Sequence, residues 1–139
     1  MSSEQIRAAV TAFFEQVWNE GKVERASAFL APTFVSHNGF GVEVLGPQDY
    51  GQSVSGLRAA FPDFHTTIED VIVEGDRVVV RGTDRGTHSA EFMGHPATGR
   101  AVVNTWIEIF RLQDGKAVEG WVEADTKRFE EQLSQRPTG

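Results

Sequence analysis

The first part of the chain alternates apolar and polar positions with the period of a helix. Its apolar residues lie three or four positions apart, which places them on one side of a helix. They are Ile6, Val10, Phe13, Phe14 and Val17. Ser2 and Gln5 have the spacing of a capping box, and Gly21 is suited to a helix end. The pattern therefore predicts a first helix between these two signals.

Two more helices are predicted before the β-rich part of the chain. A short one covers residues 23–30 and ends before Pro32, and residues 34–37 follow as an extended piece. The other begins at Gly46-Pro47, because proline is favoured at the first position of a helix. Its apolar stripe consists of Tyr50, Val54, Leu57 and Phe61.

The rest of the chain has the composition of strands. Residues 66–74 and 77–88 are predicted as one pair, and residues 101–112 and 117–125 form a hairpin around Asp114-Gly115. Helices first and long antiparallel strands afterwards predict an α+β domain with the helices on one face of a curved sheet. A bent sheet closed by helices forms a cone, so we expect a cavity inside it.

The length of the chain and its composition exclude several classes of protein. With 139 residues we predict one domain over residues 1–133 and a flexible tail over residues 134–139. The net charge of −7 argues against binding to nucleic acid. No apolar run approaches the roughly 20 residues that a membrane span needs. Cysteine is absent and the N-terminus lacks the features of a secretory signal, so we expect a cytoplasmic protein.

Metal and cofactor sites find no support in the sequence. The four histidines lack the spacing of metal ligands, and no glycine-rich loop follows a strand in the manner of a phosphate-binding loop. We therefore expect chemistry that uses neither a metal nor a cofactor.

The register of the predicted hairpin brings polar and aromatic residues together. If its turn has two residues, three cross-strand pairs follow: Asn104 with Asp125, Trp106 with Glu123, and Glu108 with Trp121. Because strand side chains repeat every second residue, Trp121 and Asp125 share a face with Asn104 and Trp106. A bulge within the hairpin would reverse that face. A carboxylate beside an amide on an aromatic face is suited to acid–base chemistry in a dry pocket.

Several motifs occur in the order and spacing of a known family. They are Phe61-Pro62-Asp63 after the third helix, Gly86-Thr87-His88 at a strand end, the loop of residues 94–100, Asp114-Gly115-Lys116, and Glu119-Gly120-Trp121 followed by Asp125. With them the chain resembles the SnoaL-like polyketide cyclases of the NTF2-like, ketosteroid-isomerase-like superfamily, from residue 6 to residue 129. The resemblance implies an NTF2-like cone, in which N-terminal helices pack on a strongly curved mixed or antiparallel sheet that encloses a pocket.

The same resemblance implies a role for Asp125. Characterised cyclases of this family use a pocket aspartate near the end of the final strand as the acid/base, and Asp125 holds the matching position. Asn104 would orient that carboxylate or bind a substrate carbonyl. The alternative is an aspartate that caps the C-terminal helix beginning at Thr126, with Asn104 as an ordinary strand residue.

Other polar residues have both a functional and a structural interpretation. His88 and His37 are candidates for proton transfer near neutral pH, or else structural histidines that bond to a loop. Arg81 is either a substrate-binding arginine or the partner of Asp70 in a cross-strand ion pair.

Aromatic residues are the expected wall of the pocket, although such stripes are also common in cores. The candidates are Phe14, Trp18, Phe34, Tyr50, Phe61, Trp106 and Trp121. The opposite face of the hairpin is apolar as well, with Val103, Ile107, Ile109, Val118 and Val122. A sheet that is apolar on both sides must be covered on both, so we expect a homodimer or a higher oligomer.

These observations lead to three functional hypotheses. The first is acid/base catalysis without a cofactor on a small hydrophobic, polycyclic or polyketide-like carbonyl compound, in particular the intramolecular aldol cyclisation of a polyketide ester. The second is an isomerase, or an epoxide or ester hydrolase, in the same cavity. A hydrolase would require Glu108 or Glu123 to face inward. The third is a binding module without catalysis, in which Asp125 would be turned outward or tightly paired.

Overall fold

The computed structural model describes residues 1–38 and 43–134. Of the predicted tail, only Ser134 lies within the described residues, and it belongs to the last helix. Within this part of the chain no helix combines the length and the apolar character that a membrane span requires.

The helices begin and end close to their predicted positions. They are α1 (Ser3–Phe13), α2 (Ala26–Phe29), α3 (Gly46–Ala60) and α4 (Thr126–Ser134). A π-helical segment, Phe14–Asn19, continues α1, and a short 3₁₀ turn precedes α2. The capping box between Ser2 and Gln5 is present, and Gly21 ends the first helical stretch with a φ of 71°. This positive φ explains the choice of glycine there.

The strands form one mixed sheet in the described part of the chain. They are β1 (Leu30–His37), β2 (Glu43–Leu45), β3 (His65–Glu74), β4 (Arg77–Thr87), β5 (Ala101–Gln113) and β6 (Lys116–Ala124). Their order is β2-β1-β6-β5-β4-β3, and the β1–β6 pair alone is parallel. The α+β architecture with a mixed sheet is thus confirmed. Leu30, predicted in a helix, begins a strand instead, and β2 was not predicted.

The hairpin turn is the predicted one, but the register beyond it is not. Asp114 and Gly115 have φ angles of 53° and 79°, as a two-residue hairpin turn requires, and they pair Gln113 with Lys116. The pairing then shifts by one residue between Leu112 and Arg111. All three predicted pairs are therefore wrong: Trp106 pairs with Ala124, Glu108 with Val122, and Ile109 with Trp121. The extra residue is a β-bulge, and it turns the rest of β6 over.

The core lies between the inner face of the sheet and the helices. Phe110 is fully buried at its centre, and the rings of Phe13, Phe14, Phe29 and Phe34 surround it. Helix α4 covers the part of β5 that extends beyond β6, since the amide of Gln132 bonds to both backbone groups of Val103. These contacts leave the space for a cavity nearer the end of the cone.

Candidate active site

A cavity of about 260 Å³ lies between the inner face of the sheet, the π-helical segment that continues α1, helix α3 and helix α4. Most of its wall is aromatic or aliphatic. The apolar residues include Phe14, Trp18, Leu57, Phe61, Phe64, Phe92, Val102, Trp106, Val122 and Phe129. Four polar side chains carry the chemistry that this wall can offer: Tyr50 on α3, Asp84 on β4, and Asn104 and Glu108 on β5.

Asp84 on β4 and Asn104 on β5 are directly opposite each other on adjacent strands. The register pairs Thr66 with Asp84 and Asp84 with Asn104, so the three side chains form one row on the inner face. The indole nitrogen Nε1 of Trp106 donates to Oδ1 of Asp84 over 2.7 Å. Burial raises the pKa of Asp84 to about 6, although the Thr66 hydroxyl and the Trp106 indole act in the opposite direction. At neutral pH this carboxylate is a base of useful strength.

Glu108 lies two rows further along β5 and is only 3% exposed. Its Oε2 is buried and has no hydrogen-bond partner among the described residues. Burial raises the pKa of Glu108 to about 8. The group is therefore a neutral acid at pH 7, able to donate a proton or a hydrogen bond. Gly120 makes the room for it, because a Cβ at that position would lie 2.9 Å from Oε2.

Tyr50 is held in a defined orientation by Trp18. The indole nitrogen of Trp18 donates to the Tyr50 hydroxyl oxygen over 2.7 Å. Indole can only donate, so the hydroxyl hydrogen is not used in this contact and is available to a ligand in the cavity that Tyr50 lines. Burial, and then the charge of Glu108, raises the pKa of Tyr50 well above its ordinary value, while Trp18 acts against this and Asp84 adds to it. Tyr50 is thus a neutral donor for a ligand oxygen.

Asn104 adds an amide next to the Asp84 carboxylate. Its Oδ1 is buried and has no hydrogen-bond partner among the described residues. Buried polar atoms are nearly always paired, and an unpaired one calls for an explanation such as a ligand. Asn104 and Glu108 both present such atoms at the cavity wall, as expected of a site that awaits a polar ligand.

The structure places Asp125 outside this cavity. Its side chain is exposed, and Oδ1 accepts a hydrogen bond from the backbone N–H of Arg128 over 3.2 Å. This is the geometry of a helix cap at the start of α4. The predicted pairing of Asp125 with Asn104 is wrong because of the bulge, and Asn104 faces Asp84 instead.

Trp121 and His37 also lie outside the cavity, on the outer face of the sheet. Their rings stack with centroids 5.8 Å apart, and Nε2 of His37 lies 2.9 Å from Oε2 of Glu119. Val122 is turned the other way: it was predicted on the outer face and lines the cavity. The same bulge explains both corrections, since it exchanges the two faces of β6.

The remaining candidates divide between core and surface. Arg81 is exposed and bonds to Asp70 over 2.7 Å, which is the cross-strand ion pair that was its alternative interpretation. His88 is fully buried and stacks on Phe61, with Nδ1 3.1 Å from Oγ1 of Thr98. Phe34 belongs to the core. Among the predicted pocket residues, the cavity brings together six: Phe14, Trp18, Tyr50, Phe61, Asn104 and Trp106.

Asp84 was missed in the sequence, and Glu108 was named only as a condition for hydrolysis. Both signals were present. Each residue lies on a strand face whose other residues are mostly buried. Val78, Val80 and Gly82 precede Asp84 on its face, and Trp106 and Phe110 flank Glu108. An acid in an apolar period is a sign of a buried carboxyl group.

Comparison with known proteins first defines the fold. An NTF2-like protein from Burkholderia pseudomallei superimposes with a TM-score of 0.77 at 20% identity, covering 97% of this chain and 100% of that one. A candidate SnoaL-like polyketide cyclase from Jannaschia sp. CCS1 superimposes with a TM-score of 0.88 at 26% identity, covering 99% and 98%. The fold is therefore an NTF2-like α+β cone, as the resemblance in the sequence implied.

The family follows from the sequence match. Residues 8–133 match the SnoaL-like polyketide cyclases, and the chain belongs to this family. The aklanonic acid methyl ester cyclase of Streptomyces peucetius is 30% identical over 108 residues, which are 73% of this chain and 72% of that protein.

We expect Gly82→Ala to disturb the base without disturbing the strand. A Cβ at Gly82 would lie 2.3 Å from Cζ2 of Trp106, so the indole must move away from Asp84. The overpacking should lower the free energy of unfolding by about 1–3 kcal/mol and shift the tryptophan emission. Gly56→Ala is the matched control, because nothing lies within 4 Å of its Cβ position and alanine favours a helix. Equal effects of the two variants would contradict the proposed contact.

Glu108→Gln should stabilise the protein at alkaline pH. The pKa of Glu108 is raised from 4.5 to about 8 on folding, so its contribution to stability is complete below 4.5 and is lost as the pH rises to 8. Glutamine does not ionise. In denaturant unfolding, the free energy of unfolding of the variant relative to the wild type should therefore increase between pH 5 and pH 8, by on the order of 3 kcal/mol. The exposed Glu123→Gln is the control, and a gap that does not change with pH would refute burial of the charge.

Proposed function

We propose that this protein catalyses proton transfer on a hydrophobic carbonyl compound without a cofactor, most directly an intramolecular aldol cyclisation. One observation carries the proposal. Two buried carboxyl groups, Asp84 and Glu108, line one apolar cavity, and their pKa values of about 6 and about 8 lie on opposite sides of neutrality. Titratable groups separated in this way are suited to the roles of base and acid.

The aldol reaction uses both groups once. The Asp84 carboxylate removes a proton from an activated C–H, and the enolate carbon attacks a second carbonyl of the same molecule. A C–C bond forms as the C=O π bond breaks, and the resulting alkoxide takes the proton of Glu108. The product is an isomer of the substrate, and proton exchange between Asp84 and Glu108 through water restores the enzyme.

The positions of the two carboxyl groups suit this assignment. Asp84 pairs with Asn104, and Glu108 lies four residues further along β5, roughly 13 Å at Cα. Trp106 lies between them as a fixed aromatic wall, because Phe14 stacks on its ring and Gly82 packs against it from β4. In an aldol closure the base and the acid act on opposite sides of the bond that forms. The Tyr50 hydroxyl supplies a hydrogen bond to the enolate oxygen, the role of an oxyanion site, and the amide N–H₂ of Asn104, not its unpaired Oδ1, is the group able to donate a second one.

The first test is exchange of the activated C–H of a two-ring β-keto ester in deuterated buffer, followed by NMR. Asp84→Asn should slow the catalysed exchange about a hundredfold or more, because the base is lost while the shape is kept. Asp125→Asn should leave the rate unchanged. Slow exchange in Asp125→Asn together with an unchanged rate in Asp84→Asn would identify Asp125 as the catalytic base and contradict the role of Asp84.

The rate of cyclisation should depend on pH as a bell. It rises as Asp84 loses its proton through pH 6 and falls as Glu108 loses its proton through pH 8. Glu108→Gln should remove the alkaline limb at a lower maximal rate. A profile that keeps this limb in the variant would exclude Glu108 as the acid.

Hydrolysis in the same cavity is the second candidate. It required an inward-facing glutamate, and Glu108 lines the cavity. Asp84 would then activate water while Glu108 protonates the leaving oxygen. Mass spectrometry in water labelled with a heavy isotope of oxygen separates the two reactions, since a hydrolase adds the labelled oxygen to its product and an aldol closure adds no water.

Binding without catalysis has one observation in its favour. The outward orientation of Asp125 is the arrangement expected of an inactive module. The inward carboxyl groups of Asp84 and Glu108 argue for an enzyme, since simple binding of an apolar ligand needs neither. Tight binding without any C–H exchange would favour the binding module.

We also propose that the outer face of the sheet forms a homodimer. Ile107 and Ile109 are 45% and 38% exposed on β5, in the middle of this face. Acids lie on one side of them, the half-buried Glu119 and the exposed Glu123 on β6, and exposed bases lie on the other, Arg81 and Arg85 on β4. A two-fold axis near β5 would place each β6 against the partner's β4 and match these charges.

Ile107→Glu should separate the subunits of such a dimer. The new charge would be buried without a partner at the centre of the interface. Analytical ultracentrifugation should show a monomer, whereas Ser55→Glu on the exposed side of α3 should remain dimeric. A wild-type protein that is a stable monomer would refute the proposal.

A further inference from the structure

We propose that the ligand of this cavity is an uncharged carbonyl compound of two fused rings, smaller than a tetracyclic polyketide. The inference rests on the proposed function for the carbonyl group. Its limits on size and charge come from the shape and composition of the wall.

The volume sets the size. The cavity measures about 260 Å³. An apolar cavity of about 150 Å³ holds one benzene ring, and pockets for drug-sized ligands begin at about 300 Å³. The present cavity therefore exceeds the need of a single ring and falls short of a large polycycle. Two fused rings with a short ester fill it.

The wall sets the shape. Trp106 stacks on Phe14, with centroids 5.0 Å apart and planes at 27°, and its ring also packs against Gly82, so this part of the wall is held rigidly. In another part of the wall, Phe92 packs edge-on against Phe61 and Phe129, with ring centroids 5.6 and 6.1 Å apart. These three rings limit the length of any flat molecule that reaches the polar groups.

The charges set the preference for an uncharged ligand. Asp84 and Glu108 are both acids, so a carboxylate beside them would meet repulsion when Asp84 is ionised. Among the described residues that line the cavity, Arg85 is the one with a cationic side chain, and that side chain is exposed on the outer face of the sheet, opposite to the inward Asp84. An ester keeps the carbonyl that Tyr50 and Asn104 can bind and carries no charge.

The test uses stable enol mimics and isothermal titration calorimetry at neutral pH. The probes are methyl salicylate with one ring, methyl hydroxynaphthoate with two, the methyl ester of a hydroxyanthracene carboxylic acid with three, and free hydroxynaphthoic acid. We expect the two-ring ester to bind most tightly, with the three-ring ester and the free acid about tenfold weaker or more. A tightest binder with one or three rings, an acid that matches its ester, or no binding of the two-ring ester would overturn the inference.

Two variants test the limit on length. Phe92→Ala removes one of the three rings and should let the three-ring ester bind about as tightly as the two-ring ester. Met93→Ala changes the exposed neighbour outside the cavity and should leave the order of affinities unchanged. If Phe92→Ala does not fold, Leu57→Ala enlarges the same cavity from α3. Continued exclusion of the three-ring ester by a folded, enlarged variant would contradict the role of the wall.

Failure of this inference is distinct from failure of the proposed function. A two-ring β-keto ester that binds without C–H exchange would contradict the proton transfer and leave the limits on size and charge intact. A three-ring β-keto ester that binds tightly and exchanges would do the reverse.

Discussion

One extra residue in β6 decides which side chains face the cavity. The shift between Leu112 and Arg111 reverses the rest of the strand, so Val122 lines the cavity and Trp121 lies outside. Because the inner face then has a small residue at Gly120, the long side chain of Glu108 fits against β6. Without the bulge, Trp121 would occupy the inner face beside Glu108, and little space would be left for a ligand.

Two tryptophans give the polar groups their orientation. Trp106 donates to Asp84, and Trp18 donates to Tyr50, each over 2.7 Å. An indole has a single N–H and cannot accept a hydrogen bond. Each tryptophan therefore holds one oxygen of its partner, Asp84 or Tyr50, and does not use the second carboxylate oxygen or the hydroxyl hydrogen. Asp84 has a second carboxylate oxygen, on which the Thr66 hydroxyl acts, and Tyr50 has a hydroxyl hydrogen that Trp18 does not use. These aromatic residues therefore act as positioning groups as well as walls.

The sequence predicted what depends on local patterns and missed what depends on register. Capping at Ser2, the turn at Asp114-Gly115 and the helix opening at Pro47 are local, and each is present. The bulge has no comparable local signal: Val118 is an ordinary strand residue, yet it reverses the face of every residue that follows. Without the bulge, the positions of Asp125 and Trp121 on the final strand could not be predicted correctly. The inward positions of Asn104 and Trp106 lie on β5, and they were predicted correctly.

Glu108 shows why stability alone does not explain this interior. Its carboxyl group is buried with an unpaired oxygen, and burial holds its pKa at about 8. Ionisation of such a group opposes folding at neutral and alkaline pH, and a leucine or a glutamine would avoid that cost. Val80 and Val122, its neighbours across the strands, offer it no hydrogen bond from their side chains. A chain that keeps a destabilising acid where an apolar residue would fit has a use for the acid, and proton transfer to a bound carbonyl compound is a use that needs it protonated at neutral pH.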